Sequence, residues 1–67
     1  MVKNMLAETL MRLPDVSRCV GYRRSMIYRL IDEKRFPKPL KLGRVSVWRK
    51  TEIERWISDR IADAVTG

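Results

Sequence analysis

Two adjacent arginines, Arg23 and Arg24, followed by Ser25, stand directly ahead of an apolar stripe at Ile27, Leu30 and Ile31. Spacings of i, i+3 and i+4 predict a helix from Arg24 to about Lys34, so both guanidinium groups crowd its first turn. Cations are unfavourable there, because the unsatisfied N–H groups already make that end positive; each costs a few tenths to ~1 kcal/mol. A sequence shaped by stability alone does not stack two of them at that point, whereas a polyanion in front relieves the repulsion. Guanidinium is also the planar fork that grips phosphate oxygens or a guanine edge in pairs. At about 100° per residue, Ser25 and Arg29 fall opposite the stripe, with Tyr28 and Arg24 on its flank. Arg23, Arg24, Ser25, Tyr28 and Arg29 therefore form one candidate face for reading nucleic acid. The plainer readings are a solvated charge for Arg24 or Arg29 and a core-edge packing role for Tyr28.

The charge balance supports the sharper reading. Across 67 residues, 15 basic side chains stand against 8 acidic ones, a net charge of +7, and the pI is about 10.3. Residues 1–50 hold thirteen bases and four acids, a balance of +9, while residues 51–67 hold two bases and four acids, a balance of −2. A pI above about 9 with the positive charge concentrated in one part of the fold is the electrostatic footprint of a nucleic-acid binder. Basic small proteins without polyanion partners are the bland alternative.

Positioning that face requires the elements around it. Residues 14–20 read as a two-turn helix, with Pro14 and Asp15 suited to its first turn and Gly21 to its left-handed end. Val16, Cys19 and Val20 share its apolar face, which makes Cys19 a small buried residue, and Arg18 points away. A three-residue turn, Gly21-Tyr22-Arg23, leads into the second helix. Pro37 and Pro39 then forbid helix. Leu40 and Leu42 alternate with Lys41, Val45 and Val47 alternate with Ser46 and Trp48, and Gly43-Arg44 joins the two runs: a small β-hairpin over 36–49. Residues 51–64 read as the surest helix, with Thr51 and Glu54 as a capping box and a continuous stripe of Ile53, Trp56, Ile57, Ile61 and Ala64. Arg60 interrupts that stripe, so its stem is expected to pack and its head to reach the core edge. Trp48 and Trp56 read as core, and Met5, Met11 and Met26 as packing residues. The first eleven residues stay open between a short helix carrying Leu6, Ala7, Leu10 and Met11 and a strand over Thr9–Leu13.

Helix, glycine-containing turn, helix and hairpin is the order of a winged helix-turn-helix, mainly α with a small β-hairpin. Its expected organisation is a single DNA-binding domain over 1–67: an extension over 1–10, the helix-turn-helix over 14–34, the wing over 36–49 and the last helix over 51–64. In that motif the second helix enters the major groove and the first crosses the backbone. Arg18 is then a phosphate contact, as is Arg12 where it abuts the first helix. Arg44 at the hairpin tip, with Lys38 and Lys41, lies along the backbone or enters the minor groove; the alternative is a turn kept charged against edge pairing.

Other chemistries lack their residues. Histidine is absent and cysteine occurs once, which removes paired Cys/His zinc sites, disulfide frameworks and nucleophile–histidine pairs. A chain of this length buries only about 60% of its unfolded surface, leaving little room for a substrate cavity. Neither enzymatic activity nor a cofactor, metal or small-molecule substrate is expected. No apolar run reaches the ~20 residues of a membrane span and no signal peptide is visible, so the expected location is cytoplasmic, on the nucleoid.

Arg12-Leu13-Pro14-Asp15-Val16, Ile27-Tyr28-Arg29-Leu30-Ile31, Arg35-Phe36-Pro37-Lys38-Pro39, Leu42-Gly43, Trp48 and Trp56 together resemble the AlpA-type regulators of phages and prophages. These proteins are related to phage excisionases and more distantly to MerR-type winged helices. The resemblance spans about residues 11–58. It implies binding to DNA near an attachment site or promoter of a mobile element. There the protein would activate integrase-type genes, or act as a directionality factor that bends DNA toward excision. The chain departs from the family pattern at Arg23, usually a capping serine, at Met26, usually threonine, and at Lys34, commonly glycine.

Double-stranded DNA is thus the leading partner. One recognition helix reads few base pairs, so further copies of the protein on repeated sites, or a helper protein, are expected alongside it. A second reading makes the acidic helix 51–64 a docking module for integrase or RNA polymerase. RNA binding ranks below both, since the aromatic side chains are few and read as buried.

Overall fold

The computed structural model describes residues 9–66. Strand β1 (Leu10–Arg12) runs directly into helix α1 (Leu13–Val20), which is followed by helix α2 (Arg24–Asp32), strands β2 (Leu40–Leu42) and β3 (Val45–Arg49), and helix α3 (Lys50–Thr66). Over the described residues the fold is mainly helical, with three helices on one small antiparallel sheet of order β1-β3-β2. Thr9–Leu13 was open between strand and helix in the sequence. Pairing of Leu10, Met11 and Arg12 with Arg49, Trp48 and Val47 makes Leu10–Arg12 a strand and turns the hairpin into a three-stranded sheet, while Leu13, expected at the strand's end, instead opens α1. The helix considered for Leu6 and Ala7, the packing role of Met5 and most of the extension over 1–10 lie outside the described residues.

Each turn has a local cause. Helix α1 carries Pro14 in its first turn and ends at Gly21, φ +78°, whose N–H donates to the Ser17 carbonyl across 2.8 Å. The Ser17 hydroxyl donates to the Tyr22 carbonyl at 2.6 Å and pins the turn between the two helices. Helix α2 ends in a Schellman motif: the Arg35 N–H donates to the Leu30 carbonyl at 2.8 Å and the Lys34 N–H to the Ile31 carbonyl at 3.0 Å. Lys34 occupies the left-handed position of that motif, at φ +60°. The wing turns on Gly43, φ +65°, with Leu42 paired to Val45. Of the two loop residues only Gly43 has positive φ, as a type II′ hairpin turn demands.

Met11, Val16, Ile27, Leu30, Phe36, Trp48 and Ile53 form the core, where α1, α2 and α3 meet one face of the sheet. Trp48 is fully buried and donates its indole N–H to the Pro37 carbonyl at 2.9 Å. Trp56 is half-buried, packs edge-on against Phe36 at 4.8 Å and donates to the Arg35 carbonyl at 2.8 Å.

Several burial expectations need correction. Cys19 is exposed. The buried line of α1 runs along Leu13, Val16 and Val20, and Cys19 lies to one side of it, by a shallow groove with Asp15, Arg18 and Lys50. Met26 sits on the flank of α2, off the Ile27–Leu30 line, and is exposed. Helix α3 begins at Lys50, so Thr51 lies inside its first turn instead of capping it. Its stripe is continuous in sequence but only its first half is covered: Ile53 is buried and Trp56 and Ile57 half-buried, whereas Ile61 is 57% and Val65 79% exposed.

Candidate nucleic-acid interface

The N-terminus of α2 is built by the Gly21-Tyr22-Arg23 turn. Arg23 is the N-cap residue, extended at φ −75° and ψ 164°, and no side chain caps the helix. The serine of the family pattern is not replaced by another hydroxyl, so the first N–H groups of α2 are left for solvent or a ligand. Arg24 opens the helix and Ser25 follows; all three side chains are exposed, and no acidic residue occurs in the first turn. Among the described residues no carboxylate pairs with Arg23 or Arg24. Positive charge, helix dipole and unfilled N–H donors therefore point the same way.

Tyr28, one turn along, is half-buried, and the Arg24 guanidinium lies 5.9 Å from its ring centroid. This cation–π contact holds the arginine over the exposed face instead of leaving it to sweep through solvent. Arg29 is on that face too, with its Nε 3.3 Å from a Glu33 carboxylate oxygen and its side chain 72% exposed.

Arg12 ends β1 and is the N-cap residue of α1, so it does abut the first helix, on the sheet face turned away from the core. Arg18 is exposed and paired with Asp15 at 2.7 Å, one turn back on α1. Exposed pairs of this kind contribute only about 0–1 kcal/mol, so either partner is readily exchanged for another ion. Lys38 lies in the segment before β2, Lys41 within β2 and Arg44 at the hairpin tip, all exposed. Among the described residues none of the three is in an ion pair.

Glu33 links two arginines that were not expected to share a partner, Arg29 and Arg35. Arg29 and Glu33, four apart on one helix, were legible as a pair. The second arm, Arg35 Nη1 at 3.7 Å from the other Glu33 oxygen, depends on the Schellman turn that folds Arg35 back. Arg60 behaves as its position in the stripe implied, with its head exposed and its guanidinium 5.4 Å from the Trp56 ring centroid.

Among the described residues no helix is long and apolar enough to cross a membrane. The family described as "Prophage CP4-57 regulatory protein (AlpA)" matches residues 9–61. The uncharacterized protein ORF88 of Enterobacteria phage P4 is 38% identical over 61 residues, covering 90% of this chain and 69% of that protein. No solved structure matches the chain significantly.

Proposed function

The chain belongs to the AlpA family of prophage regulatory proteins, and from that membership we propose that it is a sequence-specific regulator that binds double-stranded DNA. The observation that carries the reading is the front of α2: two exposed arginines on an uncapped helix start, with no carboxylate among the described residues to neutralise them. Helix α2 enters the major groove, Arg24 and Arg29 reach base edges, and Ser25 and Tyr28 border them. Arg23, Arg12 and Arg18 hold phosphates, the last by exchanging Asp15 for the backbone. The wing, with Lys38, Lys41 and Arg44, follows the sugar-phosphate chain or the minor groove. The targets are promoter or attachment-site sequences of the mobile element, where the protein controls integrase-type genes or steers excision. Such a regulator works in the cytoplasm, on the nucleoid.

Binding to duplex DNA tests this reading. With some six phosphates engaged, log K falls against log salt with a slope near about −5. Specific sites are occupied by several copies, since one short helix supplies only ~1–3 kcal/mol per bidentate base contact. Tight binding of one copy to one isolated half-site contradicts that part. Equal affinity for duplex DNA, duplex RNA and single strands at low salt defeats the whole.

The uncovered second half of α3 favours a further role. Ile61 and Val65 on a helix rich in acids form a docking strip suited to integrase or RNA polymerase.

A further inference from the structure

Beside the exposed face of α2 lies a shallow groove lined by three arginines from three segments: Arg29 of α2, Arg35 of the turn after it and Arg60 of α3. Tyr22 and Met26 contribute to its lining, and Glu33 is the one acid there among the described residues. Three cations against one anion leave the groove with a balance of +2.

None of the three arginines is left to wander. Glu33 gives one carboxylate oxygen to Arg29 at 3.3 Å and the other to Arg35 at 3.7 Å. The Arg60 guanidinium lies 5.4 Å from the Trp56 ring centroid, and the Trp56 indole N–H is in turn fixed on the Arg35 carbonyl at 2.8 Å. The side chains of Arg29 and Arg35 are nevertheless 72% and 57% exposed. Charge that is held in place and still open to solvent is the arrangement that binds an anion with little ordering cost.

We propose that this groove is a phosphate site for the backbone of bound duplex DNA. Arg35 and Arg60 are its contacts, and Glu33 is a built-in counterion that a phosphate displaces. The proposal rests on the duplex reading of α2 and extends the footprint to α3, the helix whose net charge is negative. Arg29 joins the two surfaces, because it belongs both to the exposed face of α2 and to the groove wall. A duplex whose base edges meet Arg29 therefore brings its backbone to the Arg35–Arg60 pair next. Exposed ion pairs are weak, so trading a carboxylate for a phosphate on the same guanidinium groups is an easy exchange.

The test is a salt titration of duplex binding, read by fluorescence anisotropy on a specific and an unrelated duplex. Arg35→Gln and Arg60→Gln should each flatten the log–log slope by about 0.9 and weaken both duplexes alike, as loss of one phosphate contact requires. Arg60→Lys, which keeps the charge, should hold the slope, and Arg55→Gln, elsewhere on α3, should leave it unchanged. Glu33→Gln should tighten binding at low salt by a few-fold and Asp32→Asn, a neighbouring acid outside the groove, by less. Circular dichroism of each variant separates lost contacts from lost folding. Unchanged slopes for both glutamine variants, with Arg24→Ala still weakening binding, overturn the groove and leave the duplex reading standing. Indifference of every variant, Arg24→Ala included, overturns both. A thermal shift on adding inorganic pyrophosphate that Arg60→Gln abolishes, with the duplex slope unmoved, assigns the groove to a free anion and also overturns the proposal.

Discussion

Trp48 and Pro37 are tied by a hydrogen bond of 2.9 Å from the indole N–H to the proline carbonyl, beneath a ring that has no solvent exposure. The bond fastens the central strand of the sheet to the segment leaving α2, so hairpin and α2 share one anchor. Trp48→Phe removes the donor, leaves that carbonyl without its partner and opens space in the core. A loss of about 2–4 kcal/mol is expected, combining an unmade bond with a partial cavity. Urea unfolding measures it, and a loss below about 1 kcal/mol shows that the bond does not clamp the two parts.

Lys34 pays for its place in the Schellman turn with a left-handed backbone, φ +60°. Glycine removes a penalty of ~1–2 kcal/mol there, less ~0.4–1 kcal/mol for the freer unfolded chain. Lys34→Gly is therefore expected to raise stability by about 0.5–1 kcal/mol, seen as a higher thermal midpoint. A lower midpoint means the lysine makes a compensating contact.

Arg23→Ser separates stability from binding. A hydroxyl at the N-cap accepts from the open N–H groups of α2 and adds about 1 kcal/mol. The same change deletes a cation in front of the duplex, so affinity should fall and the salt slope flatten by about 0.9. Opposite signs in the two measurements mark a residue kept for its ligand; a gain in both contradicts a contact at Arg23.

Arg24 and Tyr28 act as a pair. Arg24→Ala should weaken binding to the specific duplex by about 1–3 kcal/mol, and to unrelated duplexes by much less. Tyr28→Phe keeps the ring under the guanidinium and should change little, whereas Tyr28→Ala releases the arginine and should cost about 0.5–1 kcal/mol of the same discrimination. Equal losses for Phe and Ala would instead credit the phenol hydroxyl.

On α3, Ile61→Gln and Val65→Gln should leave folding stability within about 0.5 kcal/mol, because both side chains are already in solvent. DNA binding by the purified protein should be intact as well. Lost regulation in cells with both properties preserved identifies the strip as a partner surface; preserved regulation removes that role.

What the sequence made legible was mostly local. The start of α2, its buried line through Ile27 and Leu30, the glycine end of α1 and the Gly43 turn all follow from neighbours along the chain. Cys19 and Met26 were misplaced because a two-turn helix in a small fold buries a narrow stripe, and residues at its margin stay wet. The outer stretch of α3 was misjudged for a related reason. Periodicity states which face is apolar but not how far the rest of the protein extends to cover it. The strand at Leu10–Arg12 needed its partner, β3, before its conformation was decided. The grouping of Arg35 and Arg60 with Arg29 was not legible, because only tertiary folding brings the three to one groove.

No linker separates β1 from α1: Arg12 closes the strand and Leu13 opens the helix. Since β1 is also hydrogen-bonded to β3, swinging the hairpin drags the first helix with it. A duplex bound as proposed would meet a fixed template rather than a pair of adjustable jaws. Where helical pitch or groove width fails to match that template, the strain falls on the nucleic acid. Sites rich in pliable pyrimidine–purine steps then have an advantage at positions no side chain touches.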